Sequence, residues 1–387
     1  MNKIYLFTAA FAVMASLSGC SDTELASIDT AQEKTPIGFH TVGSQMGSRA
    51  TAINSGNLTS YSFNVYAFTR NDNGTDKDLF MGTDDTDDAQ YSGDGGVNIS
   101  YKDNKWGYTT DSELKYWPTD ALNFYAVSPV SNSESVPNYY SWQITQDKKE
   151  IHYLSGDEYG EGSHPYTDVM YAIATDKSKA DNGGTVQLQF KHITSQVVFK
   201  AKKQLQNMVV EINSIKLHNF KHSGYFTIPT SGTAPQQSDW KYKTLPTQKP
   251  NTVIKDATIN IGTEATDISK DKPMFLIPQK LTAWDTSNDI TTADTKNESY
   301  LSIECKIKIG DTYHVGSESG YDMLYVPFEA DWQPGKRYVY TLVFGGGYDA
   351  NGNTILQPIN FVPSVGEWVE DTKNSTTDND IPLYQQQ

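Results

Sequence analysis

The sequence predicts an all-β protein. Three observations carry that expectation. Short segments of about four to eight residues alternate apolar and polar side chains, and clusters of Gly, Asn, Asp, Ser and Pro separate them. No stretch beyond about ten residues keeps a 3.6-residue period together with helix formers. Aromatic residues, which favour strands, are abundant: 24 Tyr, 15 Phe and 7 Trp.

The first element in the chain is not a strand. Lys3 precedes a mostly apolar run from Ile4 to Leu17, and the small residues Ser18 and Gly19 follow. This is the pattern of a secretory signal over 1–19. A bilayer-spanning helix needs about 20 apolar residues, so the run is too short to be one. The run stops at Cys20, and the string Leu-Ser-Gly-Cys resembles the lipobox of bacterial lipoproteins. That resemblance implies cleavage before Cys20 and acylation of its thiol with palmitate-type chains. The chain would then be anchored to a membrane by lipid rather than spanning it. Ser21, Asp22, Thr23 and Glu24 resemble the acidic surface-export signal of lipoproteins in some Gram-negative anaerobes. Residues 20–35 read as a flexible tether.

The strands begin with Ile37, Phe39 and Thr41, which alternate with Gly38 and His40. Gly43 to Ser48 reads as a loop that carries Arg49. Similar alternation follows over 62–70, 122–129, 168–176, 185–190, 195–203, 209–220, 273–279, 300–309, 338–345 and 355–365. Many short strands between turn signals suggest sandwiches or barrels. The Gly/Asn/Asp-rich piece 175–186 divides the strands into two sets and gives domains over 36–178 and 179–370. A tail follows over 371–387.

Composition excludes several roles. The formal net charge is −16, which disfavours nucleic acid and anionic membrane surfaces as partners. There are two cysteines. With Cys20 acylated, Cys305 is left alone in an alternating strand, where it reads as a packed thiol, so no disulfide framework is available. The motifs with chemical overtones have structural readings. Gly345 to Ala350 spells Gly-x-Gly-x-x-Ala, but a strand precedes it and the turn signal Asn351-Gly352 follows, so a hairpin loop is expected instead of a dinucleotide site. His218 and His222 stand four apart without a third ligand nearby. The acidic stretch 83–96 lacks the ligand spacing of an EF-hand and leaves only adventitious calcium open. In "GSESG" (316–320) the central residue is Glu318, so there is no nucleophile elbow. His192 reads as a satisfied, buried histidine. No catalytic residue, cofactor or metal is expected, and the chain is read as a non-enzyme.

A series of strings resembles the fimbrillin family, the type V pilins and related Mfa-like fimbrial lipoproteins of Gram-negative anaerobes. In order they are "PIGFHTVGSQMGSRAT" (36–51), "YWPTDALNFYAVSP" (116–129), "HPYTDVMYAIA" (164–174), "VQLQFKHITSQVVFKAK" (186–202), "GYFTIP" (224–229), "FLIPQKL" (275–281), "YVPFEADWQPGKRYVYTLVF" (325–344) and "INFVPSVGEWVED" (359–371). The resemblance implies two tandem transthyretin-like β-sandwich domains. It implies an outer-membrane lipoprotein, exposed at the surface, that enters a fimbrium after processing. In that family an Arg-specific protease removes the first strand, and a strand from a neighbouring subunit fills the groove.

Carried onto this chain, the removable strand contains Ile37, Phe39 and Thr41, and cleavage falls between Arg49 and Ala50. The donor strand is C-terminal. The candidates are "INFVPSVGEWVED" and the tail, where Ile381, Leu383 and Tyr384 are the anchors behind the polar spacer 374–380. The implied partners are other fimbrial subunits, with an adhesion ligand that the sequence does not name. Membrane contact runs through the lipid on Cys20 alone. Stalk, tip and anchor roles stay open. The alternative is a surface glycan-binding lipoprotein, because exposed Trp and Tyr stack on sugars.

Overall fold

The computed structural model describes residues 34–42, 53, 57–83, 95–130, 140–155, 167–230, 232–243, 250–254, 259–269, 273–348, 354–356 and 360–367. Cys20, Arg49, Ala50, Ile381, Leu383 and Tyr384 lie outside them, as do the signal and most of the tether. The fold is all-β, as the alternation predicts. Among the described residues one α-helix occurs, Ile290–Lys296, of seven residues. Asp289 caps it by accepting the Thr291 N–H, and Asn297 ends it in a left-handed conformation at φ 57°.

From Thr35 onward the chain is one compact unit. Its first large sheet is antiparallel. The order is Lys191–His192, Met170–Lys177, Leu122–Ser128, Phe63–Arg70, Val97–Lys102 and Lys105–Tyr108, and Asp76–Met81 also pairs with Phe63–Arg70. One face of this sheet buries Phe63, Val65, Phe124 and Ala126 in a cluster that includes Ile37 and Phe39. The opposite face buries Tyr66, Phe68, Tyr125 and Val127 in a second cluster. Strands apolar on both faces, such as Leu122–Ser128, bury every residue.

The second cluster is covered by a four-stranded sheet in the order Trp240–Lys243, Ser223–Thr227, Lys149–Leu154 and Tyr140–Ile144. This sheet takes two strands from either side of the boundary expected at 178/179. The hairpin 140–154 pairs with Ser223–Thr227 from the later part of the chain. Thr185–Gln189, placed after that boundary by sequence, joins the first strand, and Lys191–His192 joins Met170–Lys177.

Most of the described residues that remain form a β-sandwich. A five-stranded sheet runs Thr266–Asp267, Ser195–Lys203, Lys336–Phe344 and Asn360–Glu367, with Met274–Leu276 also on Ser195–Lys203. It faces an eight-stranded sheet built on Met208–His218, Tyr300–Ile309 and Asp322–Pro327. Alternating side chains interdigitate between them: Val197 and Phe199, Tyr340 and Leu342, against Ile212, Leu217, Ile303 and Cys305. Cys305 is packed, and burial pushes its thiol up to about 12. Gly346–Tyr348 pairs with Thr354–Leu356, so the glycine run opens a hairpin as its turn signal implies. His218 bonds Ser302 Oγ at 2.8 Å and stacks on Tyr300, and His222 packs on Phe220. The two histidines thus have separate structural partners.

One buried charge joins the hairpin 140–154 to the first sheet. Lys149 Nζ lies 2.7 Å from Asp76 Oδ2 and donates to the carbonyls of Thr145 and Gln146 at 2.8 and 2.7 Å. It sits 4.9 Å from the ring centres of both Phe68 and Tyr125. Asp76 Oδ1 also accepts from Asn123 Nδ2 at 2.7 Å. All three ammonium protons therefore have an acceptor. Removing one member of such a pair strands the other charge, which costs more than the pair contributes. Asp76→Ala is expected to lower unfolding free energy by about 3–5 kcal/mol. Replacing Asp76 and Lys149 together with apolar residues should cost much less. Urea unfolding of both variants checks this, and a loss below about 1 kcal/mol for Asp76→Ala would show that the pair is well solvated.

Candidate functional site: the groove of the first strand

The first strand, Gly38–Val42, joins none of the larger sheets. It forms a two-stranded parallel ladder with Thr185–Gln189, from Gly38 opposite Thr185 to Val42 opposite Gln189. Just upstream, the chain uses its other edge. Ile37 N–H donates to the Lys115 carbonyl at 2.9 Å, and the Thr35 carbonyl accepts the Trp117 N–H at 3.1 Å. Between them Pro36, which has no N–H to give, forms an isolated bridge with Tyr116. Residues 35–42 therefore lie in a slot with a backbone wall on each side.

The floor of the slot is apolar. Ile37 is fully buried and Phe39 is 6 % exposed, as the alternation predicts, while His40 is exposed and Thr41 is half-buried. The Phe39 ring meets Phe63, Tyr108 and Phe124 edge-on, with ring centres 6.2, 5.9 and 6.3 Å away. These three rings stand on three strands of the first sheet, so the sheet's curvature shapes the pocket. Edge-to-face contacts of this kind add about 0.5–1.5 kcal/mol each beyond burial. Burial also pushes the Tyr108 hydroxyl up to about 12. Past Phe39 the slot opens into a cavity of about 320 Å³ lined by His40, Thr41, Leu58, Tyr101 and Trp106.

Two glycines permit the fit. A Cβ on Gly38 would stand 3.1 Å from Thr185 Oγ1, a tight contact that the threonine side chain would have to relieve. Gly184 holds φ at +85°, and a Cβ on it would be 2.9 Å from Trp117 Nε1 and 3.0 Å from Thr35 Cγ2. Its carbonyl accepts the Trp117 Nε1–H at 2.8 Å. Trp117 thereby ties together the two walls of the slot. Nothing local in the sequence reveals that Tyr116 and Trp117 flank the first strand. Asp168 and His192, beside the same cluster, are likewise invisible as a pair until the fold brings them together.

The C-terminal candidates divide. Ile381, Leu383 and Tyr384 lie outside the described residues. Asn360–Glu367, within the other candidate segment, pairs antiparallel with Lys336–Phe344 of its own chain. Among the described residues, no group of three or more His, Cys, Asp or Glu could hold a metal ion, and no helix is long and apolar enough to cross a membrane.

If Phe39 seals the groove, Phe39→Ala should make the first strand exchange with solvent much faster than the sandwich core. A Phe→Ala change in a fixed core costs about 3–5 kcal/mol, and detachment of one strand caps the global loss below that. Hydrogen exchange of residues 37–42 and 185–189 measures it. Equal protection in variant and parent would mean that Phe39 is not what holds the strand.

The fimbrillin-like family model matches residues 48–368. A crystal structure of a fimbrial protein from Bacteroides vulgatus is similar at TM-score 0.51 and 14 % identity, covering 86 % of this chain and 99 % of that one. A fimbrial assembly protein from Parabacteroides distasonis aligns at TM-score 0.38 and 12 % identity, over 86 % of this chain and 98 % of the other. The tip fimbrial protein Mfa3 from Porphyromonas gingivalis, truncated at its C-terminus, aligns at TM-score 0.33 and 10 % identity, over 80 % and 94 %. No curated protein matches. A family match from 48 to 368, on an all-β chain with this sandwich, means that the protein belongs to the fimbrillin-like family.

Proposed function

We propose that the chain is the precursor of a cell-surface fimbrial subunit, assembled by losing its first strand and accepting another in the same groove. The observation that carries this reading is the state of Gly38–Val42. It is a short strand with its own two-stranded ladder, two buried apolar anchors and no place in the larger sheets. Its removal would leave Thr185–Gln189 without that ladder and would uncover Phe63, Tyr108 and Phe124. Unpaired backbone beside an apolar pocket is what an incoming strand satisfies.

Burying two to four apolar side chains contributes on the order of 3–12 kcal/mol, and each backbone bond adds about 0.5–1.5 kcal/mol. Ordering the incoming strand opposes part of this. A contact of this kind dissociates slowly without any covalent bond between subunits, and salt weakens it little because it is not ionic.

The rest of the reading follows from the same assignment. Cys20 carries lipid and anchors the precursor at the outer membrane. An Arg-specific protease cuts between Arg49 and Ala50. The donor is C-terminal, from Ile381, Leu383 and Tyr384 or from the segment that includes Asn360–Glu367. Two sandwich domains, 36–178 and 179–370, form the body, with the hairpin 140–154 laid across their boundary.

A glycan-binding role has one observation in its favour. A polar cleft of about 270 Å³ is lined by Asn219, Lys221, Gln237 and Lys280, with Tyr242 41 % exposed at its side. Retention of a polysaccharide by the uncut monomer would favour that role.

The test of the first reading is size-exclusion chromatography before and after limited trypsin treatment. Precursor should be monomeric, and cut protein should form salt-resistant polymers. Arg49→Ala should stay monomeric and keep both Cys20 and its lipid. Cut, full-length-tailed protein that remains monomeric at high concentration would overturn the exchange mechanism.

A further inference from the structure

The chain returns to the core soon after the first strand. Ile53 is 1 % exposed and belongs to the same apolar cluster as Ile37 and Phe39. Its backbone N–H donates to Asp168 Oδ2 at 2.7 Å, across 115 positions of sequence. The other oxygen of that carboxylate, Oδ1, accepts from His192 Nδ1 at 2.8 Å. Asp168 and His192 are both buried.

Asp168 and His192 are fixed by the sheet. Asp168 stands just before Met170–Lys177, and His192 lies in Lys191–His192, which pairs with that strand. Ile193 N–H donates to the Val169 carbonyl at 3.1 Å and closes the arrangement. The carboxylate thus belongs to the framework, and Ile53 docks on it. Its charge is felt nearby: burial first, and the Asp168 carboxylate second, hold the Tyr61 hydroxyl above its ordinary range. A backbone N–H bonded to a buried carboxylate is roughly twice as strong as a neutral pair. That is a large commitment to one amide in a short return to the core.

Position explains it. Ile53 follows Arg49 by four residues. We propose that Asp168, oriented by His192, is a retention anchor: it fixes the chain at Ile53, so that a cut after Arg49 frees the first strand while the groove keeps its shape for a strand from a second copy. This rests on the exchange mechanism proposed above. Asp168 holds the amide, and His192 is a positioning residue that acts through it.

Hydrogen exchange at the Ile53 amide tests the anchor, and rebinding of a synthetic peptide of residues 35–42 to trypsin-cut protein tests its purpose. The Ile53 amide should be protected both before and after the cut. Asp168→Ala should speed its exchange at least tenfold in both forms and weaken peptide rebinding about tenfold or more. Asp168→Asn, whose amide oxygen still accepts, should keep most of both. If Asp168→Ala does not fold, His192→Phe, which keeps the bulk and removes the donor, supplies the reading, with faster Ile53 exchange expected. Exchange of Ile53 at unfolded-chain rates in the parent protein would overturn the anchor. So would Asp168→Ala, or in its place His192→Phe, with protection and peptide affinity unchanged. A parent protein that trypsin cuts without releasing the strand, with Ile53 still held through Asp168, would instead sink the exchange mechanism and leave the anchor standing.

Discussion

A strand needs a partner for its backbone, and here two strands depend on each other for one. Among the described residues, Thr185–Gln189 finds its ladder only in Gly38–Val42, and Gly38–Val42 finds its ladder only there. Their side chains close one end of the cluster that the first sheet builds on Phe63, Phe124 and Ala126. Whatever occupies the slot must satisfy both needs at once: backbone pairing along the edge and apolar contact on the floor. A strand of suitable pattern does so, and a detergent or a small ligand does not. Under the proposed exchange, losing that strand would create a demand that another chain can meet.

The slot's walls come from elements with independent support. Lys115, Tyr116 and Trp117 lead into the fully buried strand Leu122–Ser128, and Thr185–Gln189 leads through Lys191–His192 into Ser195–Lys203 of the sandwich. The middle cluster, shared by the first sheet and the hairpin 140–154, holds this framework to the rest of the chain. Lys149 and Asp76 place a buried charge pair at that junction. The acidic balance of the whole chain opposes unspecific association.

Much of this was legible in the sequence. Alternation of Ile37 and Phe39 with Gly38 and His40 gave the strand and its buried face, and the alternating run 300–309 gave a packed Cys305. The turn signal Asn351-Gly352 predicted a hairpin where a nucleotide motif stood on paper, and the flanking strands pair. Long-range pairing was not legible. No local pattern tells the hairpin 140–154 to join Ser223–Thr227 across the expected boundary, because period and turn chemistry describe a strand and not its neighbour. For the same reason the walls of the groove, and the meeting of Ile53 with Asp168 and His192, became visible only in three dimensions. Thr41 shows the limit of the pattern itself: it shares the inward parity of Phe39 but sits where the slot opens, so it is half-buried.

The proposed strand exchange would leave a chemical mark on the assembled protein, and the most direct measurement reads that mark. The N-terminal residue of subunits recovered from cell-surface polymers should be Ala50, with residues 37–42 gone from the polymer. Polymers whose subunits still begin at an acylated Cys20 and retain Phe39 in its own groove would contradict the mechanism.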